Sequence, residues 1–181
     1  VVKANDANKM YDGSPLTAEQ AGYRLVSGEL AEGDVLAVEL SGSQLDAGKS
    51  ESSVKSVRVM RGNEDVTASY IFGQSIKGEL EVTVRSVTIT SGSDEKVYDG
   101  KALTNSDITV TGDGFAQGEG ASYVFSGSQT DVGTSDNEFT YTLNEGVKAA
   151  NYEIKTEFGS LTVKPVTAAI IVTAASDEKL Y

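Results

Sequence analysis

Cysteine, histidine and tryptophan are all absent from this 181-residue sequence, and proline and methionine occur only twice each. Without cysteine there is no disulfide and no thiolate metal site, and the chain is indifferent to the redox state of its compartment. Without histidine, the commonest general base and the commonest transition-metal ligand disappear together, so no enzymatic role is expected. Missing tryptophan removes the largest flat platform for stacking on sugars. Cations are also scarce. The 15 basic residues face 27 acidic ones, a net charge of −12. A phosphate backbone needs Lys and Arg to release its counterions, so nucleic acid is excluded as a partner, and an anionic membrane surface is disfavoured for the same reason. No apolar run approaches the length of a membrane span, and no signal peptide is seen. The sequence reads as a piece of a longer protein, so both absences concern this segment alone. The acidity is spread along the chain, with 9 basic against 13 acidic residues in 1–86 and 5 against 12 in 87–167.

What is present is repetition. "KMYDG" at Lys9–Gly13 returns as "KVYDG" at Lys96–Gly100, and the sequence closes on "KLY" at Lys179–Tyr181. "SGSQLDAG" at Ser41–Gly48 matches "SGSQTDVG" at Ser126–Gly133, and "SYIF" from Ser69 aligns with "NYEI" from Asn151. "GELEV" at Gly78–Val82 then pairs with "GSLTV" at Gly159–Val163. Landmarks in one order at nearly constant spacing identify two copies of a module. The expected boundaries are 1–86 and 87–167, with 168–181 the first strand of a truncated third copy. That strand is expected to pack on the second copy or to pair with a neighbouring molecule, since a strand alone is unstable.

Inside each copy the apolar residues alternate as in strands. Tyr152, Ile154 and Phe158 share one face, Leu161 and Val163 continue it, and Phe139, Tyr141 and Leu143 form another such run. Clusters such as "GNED", "TGDG" and "LNEG" supply turns between the runs. The one helical candidate, Pro15–Tyr23 with Thr17 as cap, is expected to give a single turn at most. An all-β fold follows: two tandem Ig-like β-sandwich modules of short antiparallel strands in an elongated arrangement. A β-grasp is the alternative, and it requires a real helix across the sheet. Pro165 and the strand-to-strand joints at Leu80–Thr90 and 161–173 leave no flexible linker.

The phrase "KxYDGxxL" at Lys9–Leu16 and Lys96–Leu103, with the closing patterns from Asp65 and Asn151, resembles the MBG/YDG-type repeats of bacterial surface adhesins. The resemblance covers both copies. It implies an extracellular, cell-wall-associated, tandemly repeated Ig-like domain, associated in some relatives with mucin or host-surface adhesion and in others serving as stalk. The sequence departs from the usual "DAGxY" at one point, with Ser50 and Ser135 where that tyrosine would fall.

The motif residues are Lys9, Tyr11, Asp12 and Gly13 in the first copy, and Lys96, Tyr98, Asp99 and Gly100 in the second. Tyr70, Tyr152, Gly78 and Gly159 join them from the closing patterns. Two readings stand. In one, Tyr11 and Tyr98 stack on a ligand while Asp12 and Asp99 bond it or a metal. In the other, which recurrence in both copies favours, the tyrosine covers the edge of the core, the aspartate bonds a nearby backbone N–H, and the glycine takes positive φ. Lys96 and Asn151 form a candidate isopeptide pair in the second copy alone, because Ser69 replaces the asparagine in the first. No cofactor is expected. Calcium is the one ion that Asp94–Glu95, Asp113, Asp131 and Asp136–Glu138 invite, but they lack the ligand density of a calcium loop. The expected function is a structural spacer holding a distal binding region, with neighbouring repeats as partners and the fragment itself a monomer. Direct binding of host mucin glycans or an extracellular protein is the alternative.

Overall fold

A computed structural model describes residues 1–175, 177 and 179. It is all-β, with strands packed in several small sheets. Among the described residues the only helical elements are one α-turn, Ala18–Ala21, and two short 3₁₀ turns, Thr67–Ser69 and Ala149–Asn151. The helix that a β-grasp requires is not among them. Thr17 opens the α-turn with a reciprocal capping box, its hydroxyl accepting from the Gln20 N–H while the Gln20 side chain accepts from the Thr17 N–H. Gly22, at φ 72°, ends it.

By contact the chain divides into two compact units. The first comprises Val1–Ile89, Val110–Ser122 and Tyr141–Thr156, and the second comprises Thr90–Thr109, Tyr123–Thr140 and Glu157–Tyr181. In the first unit, Gly78–Thr83 lies between Ala7–Met10 and Gly48–Arg61, and Gly48–Arg61 pairs onward with Asp34–Ser41. This sheet is not wholly antiparallel. Ala7–Met10 runs parallel to Gly78–Thr83, with Lys9 opposite Val82, whereas the pairing of Gly78–Thr83 with Gly48–Arg61 is antiparallel. Ala4, Ala18 and Leu40 pack together below it with Val38 and Val54. The same unit holds most of a three-stranded sheet centred on Arg85–Ser91, whose Val87 and Ile89 are fully buried.

The second unit repeats the arrangement. Asp94–Val97 runs parallel to Ser160–Lys164, with Lys96 opposite Val163, and Gly133–Asp136 pairs antiparallel on the other side. Parallel pairing of the strand that leads into each repeated phrase with the last strand of its module departs from the purely antiparallel expectation. The reason is topological: the strands are far apart in sequence, so the joining chain is long enough to reverse direction. Leu103, Leu161 and Val163 form one buried cluster. Phe139, also buried, has the half-buried Tyr123 and Phe125 and the exposed Phe158 around it at centroid distances of 5.6–6.2 Å.

Past Lys164, the described residues form neither strand nor helix, and Ile170, Ile171 and Val172 stand exposed. The strand expected across 168–181 is thus not formed through residue 175, where no sheet edge pairs with the backbone. Ser176, Glu178, Leu180 and Tyr181, including the end of the third phrase, lie outside the described residues.

Candidate functional site

The repeated phrase folds into the same small machine twice. Tyr11 N–H donates to Thr83 O and Tyr98 N–H to Lys164 O, both at 2.8 Å, so each tyrosine leaves the parallel ladder at the same step. The next residue closes an Asx turn: Asp12 Oδ1 accepts from Ser14 N–H at 2.9 Å, and Asp99 Oδ1 from Lys101 N–H at 3.0 Å. Gly13 and Gly100 carry the turn at φ 82° and 76°. The lysine two residues before each tyrosine locks it. Lys9 Nζ donates to Asp12 and to Ser14 O, each at 2.6 Å, while Lys96 Nζ donates to Asp99 at 2.7 Å and Lys101 O at 2.6 Å. Lys9 holds the Asp12 carboxyl down at about 2, and Lys96 lowers that of Asp99. Leu16 and Leu103, the last letters of the phrase, are buried.

The other landmarks are equally mechanical. Gln44 Nε2 donates to Asp46 O and Gln129 Nε2 to Asp131 O, both at 2.7 Å, closing the "SGSQ" turns. Ser50 and Ser135, at the positions of the missing tyrosine, donate to Ser43 O and Ser128 O at 3.2 and 3.3 Å. Gly78 and Gly159 are close-approach glycines. A Cβ at Gly78 would overlap the carbonyls of Ala4 and Asn5, and one at Gly159 those of Ser91 and Gly92.

Tyr11 and Tyr98 differ in their surroundings. Tyr11 is 6% exposed and Tyr98 is 42% exposed. Within the first unit, the Tyr11 hydroxyl donates to Glu119 Oε1 at 2.6 Å, and Tyr152 donates to the other oxygen of the same carboxylate. The two rings meet edge to face at 5.7 Å, and Phe115 lies against Tyr152 at 5.2 Å. Ala116 N–H donates to the Tyr152 hydroxyl at 3.0 Å. Burial first, and the Glu119 carboxylate second, push the Tyr152 phenol up to about 12. Tyr11 is raised chiefly by its bond to Glu119.

Around this pair the contacts are polar and directional. Asn151, fully buried, accepts from Ala47 N–H at 2.8 Å and donates to Asp46 at 3.1 Å. Lys148 Nζ reaches Asp46 Oδ2 at 2.6 Å and lowers its carboxyl. Arg85 donates to three carbonyls, Tyr11 O at 3.0 Å, Gly114 O at 2.8 Å and Asp113 O. Lys96 and Asn151 therefore have separate partner sets, and neither is in the other's. Among the described residues no cluster of three or more acidic groups is placed to hold a metal ion.

The corner that receives Tyr11 has a counterpart in the first copy. Tyr70 donates to Asp34 Oδ2 at 2.6 Å and accepts from Ala31 N–H at 2.9 Å, as Tyr152 does with Glu119 and Ala116. There Arg61, at 2.7 and 3.0 Å, takes the carboxylate oxygens and lowers the Asp34 pKa. Asp34 and Glu119 escaped the sequence reading, as did Asp46 and Arg85. The signal was available for the acids, since counting back from the matched "SGSQ" puts Asp34 and Glu119 in register, each directly after a glycine, Gly33 or Gly118.

Residues 85–172 match the family model described as the MBG domain. No curated protein and no solved structure matches the chain.

Proposed function

Taking residues 85–172 to be an MBG domain, a non-catalytic repeat-type domain of surface proteins, we propose that this chain is a pair of stalk repeats from a bacterial cell-surface adhesin. It would project a distal binding region from the cell wall into the extracellular space. The carrying observation is the use made of the Tyr11 corner. Tyr11, Asp46, Ala47 and Arg85 commit their polar groups to other residues of the same chain. Directional bonds of this kind set orientation, because each fixes a donor line and an acceptor position that a flexible joint would leave free. Neighbouring repeats are then the partners that matter, and the fragment acts as a monomer. Among the described residues no helix is long and apolar enough to cross a membrane.

The alternative is that the repeats bind host mucin glycans or a glycoprotein directly. The exposed ring of Tyr98 is the observation in its favour. A glycan array and immobilised mucin separate the two readings. The spacer role expects no saturable binding by the chain, and saturable binding abolished by Tyr98→Ala would replace it with direct recognition.

A further inference from the structure

The geometry of the two phrases is matched bond for bond, yet only one of them is covered. Strand exit, Asx turn, lysine lock and glutamine closure agree within about 0.1 Å between Tyr11 with its neighbours and Tyr98 with its neighbours. In the covered case a carboxylate takes the phenol proton, an asparagine carbonyl takes the Ala47 N–H, and lysine and asparagine donors take Asp46. In the uncovered case the corresponding groups are Tyr98, Val132 and Asp131, all exposed, with Val132 at 54%. Among the described residues the Tyr98 hydroxyl has no hydrogen-bond partner.

A second observation concerns 166–172. Counted from Leu80 and Leu161, Ile170 occupies the position of Ile89. Ile89 is fully buried, while Ile170 is 91% exposed and Ile171 86%. Two adjacent β-branched residues of this kind belong in a sheet rather than in water.

We infer that Tyr98, Asp131 and Val132 form a docking surface for a further MBG-type module, which seats there the acid–tyrosine–asparagine corner represented here by Glu119, Tyr152 and Asn151. The inference rests on the spacer reading and gives it a chemical rule. An array grows by placing the half-buried carboxylate of such a module on the motif tyrosine of the one before it. An acid preceding the strand, a tyrosine after the 3₁₀ turn, and an asparagine immediately before that tyrosine are the features by which the occupant is recognised. The first copy carries serine at this last position, with Arg61 on its acid, and so is a poorer occupant.

The test compares the chain with a version extended after Pro165, the counterpart of Val84, by a second copy of residues 85–164. The appended copy carries Y98F, so that only the original Tyr98 is read. Both are treated with tetranitromethane, and nitration is mapped by peptide mass. Tyr98 is expected to react readily in the original chain and at least tenfold more slowly in the extended one, with Glu119→Gln in the appended copy restoring the rate. Equal reactivity of Tyr98 in both chains, with Tyr11 protected and the circular dichroism per residue unchanged, overturns the docking rule and leaves the spacer reading standing. Protection of Tyr98 by added mucin, but not by the appended copy, overturns both. A second extension carrying residues 85–175 answers the same question should the shorter one fail to fold.

Discussion

Tyr11 donates its hydroxyl to Glu119 at 2.6 Å across 108 positions of sequence. That bond places the first tyrosine of the repeated phrase in a buried polar corner, with Tyr152 on the second carboxylate oxygen. The phenols thereby neutralise the cost of burying part of an acid, and the aromatic edge-to-face contact excludes water around them.

Replacing Tyr11 by Phe keeps the ring and removes the proton donor. A hydrogen bond to a charged group is worth about 1.5–3 kcal/mol, and Tyr11→Phe is expected to cost stability in that range. The same change at Tyr98, which is exposed, should stay within about 0.5 kcal/mol. Urea denaturation of the two variants gives the comparison, and equal effects would mean that the Glu119 bond contributes nothing.

Alkaline pH should loosen the corner. The Tyr152 phenol is raised to about 12, so the folded state holds its proton more tightly than the unfolded chain. Its contribution is complete below the ordinary tyrosine value near 10 and is lost as pH rises toward about 12. Thermal midpoints should fall across that window. Tyr152→Phe should flatten the slope, and absorbance titration at about 295 nm should show Tyr152 ionising among the last of the eight tyrosines.

Acid acts through the motif aspartates. Asp12 is held at about 2 by Lys9 and Ser14, and Asp99, Asp46 and Asp34 are lowered by Lys96, Lys148 and Arg61 respectively. These groups contribute above the unfolded value near 4, and the contribution is lost as pH falls through the folded values. Melting temperature should therefore decline from about pH 4 toward pH 2. Asp12→Asn should show a shallower decline than the parent chain, measured in low salt where exposed ion pairs are least screened.

The glycines should separate into two classes. At Gly78 and Gly159 a methyl group meets backbone carbonyls that cannot retreat, and alanine is expected to cost about 2–3 kcal/mol. Gly13 and Gly100 have open space around the missing Cβ, so alanine there pays only for the left-handed backbone, about 1–2 kcal/mol. A ranking in which Gly13→Ala proves the more damaging would contradict the close-approach assignment.

Arg85 reaches three carbonyls with one planar guanidinium. Lysine offers one flexible ammonium in its place and cannot span that fork. Arg85→Lys is expected to lose about 1–3 kcal/mol despite keeping the charge. Chemical denaturation at two salt concentrations checks this, since a loss independent of salt points to geometry rather than net charge.

Much of the architecture was legible in the residues. Alternation in runs such as Phe139–Leu143, turn clusters, and the cap at Thr17 are local properties, and the all-β class follows from the first two. The parallel partners of Ala7–Met10 and Asp94–Val97 were not legible, because strand direction depends on the path of the intervening chain and not on either strand's own residues. Nor was the corner at Glu119. An acid in a glycine-rich loop reads as a solvated turn until a distant phenol is seen to reach it.

Tyr11 and Tyr98 mark the boundary between the two kinds of information. The sequence by itself determined the turn that follows each tyrosine, since lysine, aspartate and glycine within five residues satisfy one another wherever they stand. Only the tertiary structure decided that one ring is buried and the other is open, because burial depends on what the rest of the chain brings to that surface.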